Sequence, residues 1–240
     1  MHGCLVTATD TGVGKTILSA ALTAALYAAG DPVQPYKPVI TGLDEDPRPW
    51  PADHELLGLM AAVPPERVAP ERFGPAVSPH LAAARAGRTL DPARMVERAR
   101  DAGRRGPLVV EGVGGLLAPL TEQWSVRDLA MALGLPVVIA ARAGLGTINH
   151  TLLTLEAARA GSLDVRAIVL TPWPQEPDDI QLSNRQTIAR LGAVPVEGLE
   201  QVSAPEPMLL ARAAQRLPYR AWLGAAHPDL QPAPPPAAPF

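Results

Sequence analysis

The residues best suited to chemistry lie near the start of the chain, in Thr9-Asp10-Thr11-Gly12-Val13-Gly14-Lys15-Thr16, between a short apolar run and a long Ala/Leu-rich one. Read as strand, glycine-containing loop and helix, this stretch is a phosphate-binding loop. Successive backbone N–H groups and a helix N-terminus form an anion-binding concavity, Lys15 reaches the β- and γ-phosphates of a nucleotide, and the Thr16 hydroxyl ligates Mg²⁺. Gly12, Val13, Gly14 and Ile17 belong to the same cradle. The pattern departs from G-x-x-x-x-G-K-[ST] at its first place, which holds Thr9, so the flanking strand and helix carry the assignment.

A second candidate comes from scarcity. Of 21 Lys plus Arg, only Lys15 and Lys37 are lysines. In a chain so biased to Arg, Ala and Pro, a retained lysine points to a need for a compact, rotatable ammonium; a surface lysine snorkelling beside a strand is the alternative. Residues 33–40 read as a strand, and Pro35 and Pro38, each removing a ladder donor, place it at an edge or end it early. Lys37 then stands near the strand's carboxyl end, with Thr41-Gly42 in the turn beyond. Open parallel sheets bind ligands at those ends, so Lys37 and Thr41 can face the phosphate loop.

The third candidate is acidic. Leu108-Val109-Val110 suits a strand buried on both faces, and it stops at Glu111-Gly112-Val113-Gly114-Gly115. A carboxylate at such a strand end, followed by flexible backbone, fits a Mg²⁺ site beside phosphates. A turn with a solvated Glu is the alternative.

These candidates need a scaffold, and the chain alternates between extended and helical patterns throughout. Strands are expected at 33–40, 108–110, 135–141, 165–170 and 193–196 besides the first, with helices at 16–29, 53–60, 78–87, from 91, 125–133, up to 160, 179–191 and 204–217. Asp53 can cap its helix, and Ser125 with Asp128 forms a capping-box-like pair. Residues 43–52 read as an acidic, Pro-rich loop. The expected fold is α/β: a single-domain P-loop NTPase fold with a mostly parallel central β-sheet and helices on both faces. A hydrophobic fraction of 47% over 240 residues supports one substantial core, expected over 1–224, with 225–240 as a Pro/Ala-rich, flexible tail.

Composition also excludes some partners. A net charge of -3 gives no footprint for nucleic acid or an acidic membrane surface. Cys4 is the only cysteine, which leaves no disulfide framework and no Cys-based metal cluster; it should pack in the first strand. Without a charged n-region or an apolar run of transmembrane length, a cytoplasmic protein is expected.

Taken together and in order, Thr9 to Thr16, Lys37-Pro38-Val39 with Thr41-Gly42, Ser78-Pro79-His80, Glu111 to Gly115 and Gly146-Thr147-Ile148-Asn149-His150 resemble the dethiobiotin synthetase family over roughly residues 1–200. The resemblance implies a homodimeric, ATP- and Mg²⁺-dependent ligase of biotin biosynthesis that makes dethiobiotin from 7,8-diaminononanoate and CO₂, with the substrate site at the subunit interface. It implies catalytic roles for Lys15, Lys37 and Thr11, and Mg²⁺ ligation by Thr16, Asp53 and Glu111. Gly112, Val113 and Gly114 would line the nucleotide site. Thr41, Leu145, Gly146 and Asn149 would bind substrate, the last three by way of a helix start suited to a distant carboxylate. Relatives that select ATP carry Asn-Asp after the fifth major strand, where this chain has Thr171-Pro172. Base contacts then fall to Thr171, Pro172 and the backbone of Glu200, Gln201 and Val202, and acceptance of other nucleoside triphosphates is expected.

Two other classes share the loop. One is the nucleotide-driven switch of the chromosome-partitioning kind, which carries a signature lysine at the place of Asp10. The other is the synthetase domain of cobyrinate amidating enzymes, which comes with a glutaminase Cys this chain cannot supply. His54, His80 and His150 lack metal-ligand spacing and are expected to pack or hydrogen-bond. Trp173 could stack on a base or cover the sheet edge. Asn184, one of two asparagines, has no readable role.

Overall fold

A computed structural model describes residues 1–45 and 49–224. In chain order its elements are β1 (Gly3–Ala8), α1 (Lys15–Ala28), β2 (Gln34–Tyr36), β3 (Val39–Ile40), α2 (Asp53–Ala61), α3 (Pro65–Val68), β4 (Glu71–Arg72), α4 (Pro79–Arg85), α5 (Pro92–Gly103), β5 (Leu108–Glu111), α6 (Val126–Leu133), β6 (Val137–Ala141), α7 (Thr147–Ala160), β7 (Val165–Trp173), α8 (Asp179–Gly192), β8 (Val196–Glu200), α9 (Pro207–Gln215) and a 3-10 turn (Tyr219–Trp222). Six strands form one sheet in the order β2-β5-β1-β6-β7-β8, every pairing parallel.

The strands are apolar at nearly every position because both faces are covered. Side chains alternate between them: Cys4, Val6 and Ala8 join a core with Leu18, Leu22, Leu57 and Leu210 of α1, α2 and α9, whereas Leu5 and Val110 pack with Met95, Leu129 and Ile188 of α5, α6 and α8. Cys4 is fully buried in β1 as expected, and burial pushes its thiol up to about 12. Among the described residues no helix is long and apolar enough to cross a membrane.

The structure corrects several expected boundaries. The 33–40 strand divides: β2 pairs with β5 at the sheet edge, while β3 pairs with β4 in a separate two-stranded sheet. Pro38, without an N–H, stands at the break, and Lys37 before it turns its own N–H to the Val68 carbonyl at 2.9 Å. Asp53 does not cap α2. Ala52 holds that place and Asp53 is the first helical residue, which leaves its carboxylate for the site below. The last strand starts at Val196 and not 193, because Ala193 ends α8 in the left-handed region at φ 45. Strand β7 continues past Leu170 to Trp173, with a register shift where Pro172 offers no donor. Trp173 covers the sheet edge: it is 8% exposed and Arg185 lies over its ring at 5.6 Å. Of the 43–52 loop, residues 46–48 lie outside the described residues, as does the expected tail at 225–240.

The capping box at α6 forms as predicted. Asp128 accepts from the Ser125 N–H at 2.7 Å and the Ser125 hydroxyl at 2.6 Å, and the Asp128 N–H returns to that hydroxyl. Burial raises the Asp128 pKa, but these donors outweigh it and hold the carboxyl below its ordinary value. Its contribution to stability is present above the unfolded carboxylate pKa and is lost as pH falls through the depressed folded one. Asp128→Ala should cost about 1 kcal/mol at neutral pH. Urea melts of both proteins at pH 7 and in acid should show that gap closing in acid; a gap independent of pH would remove the charge from the account.

Candidate active site

Three strand ends meet at the site. After β1 the chain bends through Gly12 at φ 72 and Gly14 at φ 89, both left-handed, and enters α1 at Lys15. Gly14 is required twice over, since a Cβ there would lie 2.6 Å from Thr171 Cγ2. The glycine-rich segment after β5 packs on the same loop: a Cβ at Gly115 would stand 3.4 Å from the Ala8 and Thr9 carbonyls, and one at Gly114 3.6 Å from the Thr11 hydroxyl. This juxtaposition brings Thr11 and Gly114 together. Val13 is buried beneath the loop.

Lys37 reaches into the centre. Its ammonium lies 2.6 Å from Glu111 Oε1 and 2.7 Å from Asp53 Oδ2, and the Thr16 hydroxyl donates to Glu111 Oε1 at 2.9 Å. Glu111 is fully buried, and Lys37 is 3% exposed. Burial disfavours the Lys37 charge, but the two carboxylates override it and hold its pKa above the ordinary lysine value. For Asp53 burial also opposes the charge, and Lys37, with help from Thr16 and Lys15, holds its carboxyl low. Lys15 is the exception. Burial, and then the like charge of Lys37, pull its pKa down despite Glu111, Asp53 and Asp10. Two cations and two carboxylates thus share one corner, and among the described residues Lys15 is the member without a direct ion pair.

Glu111 Oε2 is buried without a hydrogen-bond partner among the described residues. A carboxylate oxygen in that condition, beside the Thr16 hydroxyl and the Asp53 carboxylate, suits a hard divalent cation that takes oxygen ligands.

The other expected residues surround this corner. Thr41 lines an open pocket of about 510 Å³ together with Thr16, Ile17 and Asp53. Glu200, Gln201 and Val202 line one of about 230 Å³ with Gln175 and Arg216. Thr171 is 2% exposed, its side chain turned against Gly14, and Pro172 is exposed. Gly112 and Val113 lie where β5 leaves the sheet, the Gly112 N–H on the Val6 carbonyl at 2.9 Å. Leu145, Gly146 and Asn149 stand exposed at the start of α7, whose flank lines a groove with Thr9, Thr11, Gly114 and Leu117. His54 is buried, His80 half-buried and His150 exposed.

Sequence reasoning left two contacts unassigned. Arg142, just past β6, lies 3.7 Å from Asp10 of the phosphate loop. Asn184 holds the 143–144 loop by two hydrogen bonds, and its rarity was the available signal.

A glycine-bent loop between the first strand and helix of a parallel sheet, with a buried lysine behind it and a carboxylate at the next strand end, defines a P-loop nucleotide-binding protein. The AAA domain family model matches residues 2–205. The ATP-dependent dethiobiotin synthetase of Anaeromyxobacter dehalogenans is 46% identical over 80% of this chain and 86% of its own, and that of Rhodopseudomonas palustris is 42% identical over 80% and 84%. The chain belongs to the dethiobiotin synthetase family. Solved structures share its fold at low identity: apo McdA from Cyanothece has a TM-score of 0.52 at 10% identity, covering 92% of this chain and 95% of its own. The cell division ATPase MinD of Pyrococcus furiosus has one of 0.51 at 15%, covering 90% and 100%.

Proposed function

We propose that this protein is an ATP- and Mg²⁺-dependent cyclo-ligase that closes the ureido ring of dethiobiotin. One amine of 7,8-diaminononanoate adds to CO₂ and loses a proton, giving a carbamate. A carbamate oxygen attacks the γ-phosphorus and ADP leaves, which forms a carbamic-phosphoric anhydride. The second amine then attacks the carbonyl carbon, loses its proton and expels phosphate. Each intermediate before ring closure is anionic, so the protein's task is to hold and neutralise charge. Lys15 takes the β- and γ-phosphates, which supply the anion it lacks. Lys37 stabilises the carbamate and transferring phosphoryl group, and Thr11 lies beside them. Thr16, Asp53 and Glu111 would hold Mg²⁺, which would supply Lewis-acid stabilisation of the phosphates. Thr41 hydrogen-bonds the diamine. No side-chain nucleophile is needed.

The observation that carries this reading is the Lys37–Glu111–Asp53–Thr16 cluster placed behind a phosphate loop, with one carboxylate oxygen unpartnered among the described residues. Leu117 and Leu153, each more than half exposed in the groove at Thr11, support a homodimer in which a second copy covers this face and completes the substrate site. The test is incubation with diaminononanoate, bicarbonate, Mg²⁺ and ATP, with dethiobiotin read by mass spectrometry. ATP hydrolysis stimulated by DNA or a partner protein, without dethiobiotin, would support a switch instead.

The base should be read loosely. Thr171 turns into the phosphate loop, Pro172 has no N–H, and the Glu200 carboxylate is paired with Arg216. Few fixed groups remain to penalise a wrong base. Steady-state kinetics should give CTP and GTP within about tenfold of ATP in kcat/KM, a gap of about 1.4 kcal/mol. A preference for ATP well beyond a hundredfold would show that other groups read adenine.

A further inference from the structure

The chain has two asparagines, and both bear on one segment: Asn149 lies in the first turn of α7, and Asn184 reaches from α8 to the loop that leads into α7. Asn184 is 5% exposed, and its Nδ2 donates to the Ala143 and Gly144 carbonyls, both at 3.1 Å. An amide NH₂ is the uncharged side-chain group that offers two diverging donors from one nitrogen, so it can fix two successive carbonyls at once. The Gly144 carbonyl also receives the Thr147 N–H at 3.3 Å, the bond that closes the turn into α7. Gly146 precedes that helix at φ 88 with no side-chain cap, and Leu145 at the tip is 95% exposed. The tip therefore gets no packing of its own, and its path is set from beneath.

We infer that Asn184 is a positioning residue: by clamping the Ala143 and Gly144 carbonyls it holds the open N–H groups at the start of α7 in the orientation that receives the diamine substrate's distant carboxylate. This rests on the proposed function and on the substrate subsite that the family resemblance assigns to Leu145, Gly146 and Asn149. It sets Asn184 apart from an ordinary packing residue in one respect. Its effect should follow the carboxylate of the substrate and leave the phosphate loop alone.

The experiment compares wild type, Asn184→Ala and Asn184→Asp with diaminononanoate and with a vicinal diamine of the same alkyl length lacking the carboxylate. In both variants KM for diaminononanoate should rise at least about tenfold, the scale of lost hydrogen bonds to a charged group, with KM for ATP within about twofold of wild type. With the carboxylate-free diamine the three proteins should have equal kcat/KM. Hydrogen exchange on the unliganded proteins should speed up at Thr147 and its neighbours in the variants and stay unchanged at Gly14 to Leu18. Equal penalties on both diamines, a parallel rise in KM for ATP, or unchanged exchange at Thr147 would overturn the assignment. The exchange arm needs no turnover, so a wild type that makes no dethiobiotin would sink the functional reading while the clamp is still judged. If Asn184→Ala does not fold, Asn184→Asp, of nearly the same shape with acceptors in place of donors, carries the comparison.

Discussion

Lys37→Arg is expected to lower turnover at least about a hundredfold, the scale of losing one preorganised contact to a developing anion. Its ammonium stands 2.6 and 2.7 Å from two carboxylates at 3% exposure, and a planar guanidinium cannot take a point charge's place there. The carboxylates keep its pKa above the ordinary lysine value, so it stays charged across the neutral range and acts by charge and not as a base. The pH profile of kcat should therefore show no limb from Lys37. Lys37→Met should add a loss of stability on the order of 3–5 kcal/mol, since Glu111 would be left buried with its main counter-charge gone. Stopped assays with saturating substrates, alongside nucleotide binding by fluorescence, separate chemistry from binding. Near-wild-type turnover in Lys37→Arg would contradict the role.

Glu111→Gln should have the next largest effect. The amide keeps the shape and can still accept from Thr16, but it removes the fully buried negative charge and the oxygen without a partner. Half-saturating Mg²⁺ should rise by at least about tenfold, with the fold unchanged by circular dichroism. Asp53→Asn should act in the same direction but less, because the Asp53 side chain is 38% exposed and water can replace part of its contribution. Asp53 is held below the ordinary carboxylate value. Its part in binding the metal is thus present at neutral pH and lost only when pH falls through that depressed value. Unchanged Mg²⁺ titrations in both variants would leave the pair as a counter-ion set for Lys37 alone.

How far the sequence reveals this site depends on how local each signal is. The phosphate loop is contiguous, and its glycines, strand and helix are legible from eight residues and their flanks. Lys37 and Glu111 are legible because each lies at a strand's carboxyl end, where a parallel sheet gathers ligands. Their 74-residue separation hides the contact itself, which depends on β2 and β5 being neighbours. Asp53 reads locally as a cap, since an acidic residue at a helix start satisfies that pattern; only the folded chain shows that Ala52 takes the cap and frees the carboxylate. The division of 33–40 was half legible, because Pro38 predicts a break but not a second sheet with Glu71–Arg72. Asn184 is singled out by its rarity, but its role is out of reach of the sequence. Its partners are backbone carbonyls of a loop forty residues away, and backbone acceptors leave no mark on sequence.

The most direct test of the central claim is the fate of oxygen from labelled CO₂. With C¹⁸O₂, diaminononanoate, Mg²⁺ and ATP, sampled before exchange with water, mass spectrometry should find ¹⁸O in the ureido carbonyl of dethiobiotin and one ¹⁸O in each phosphate released. Dethiobiotin accompanied by unlabelled phosphate would contradict transfer through a carbamic-phosphoric anhydride, and ATP consumed with no labelled dethiobiotin would contradict the function.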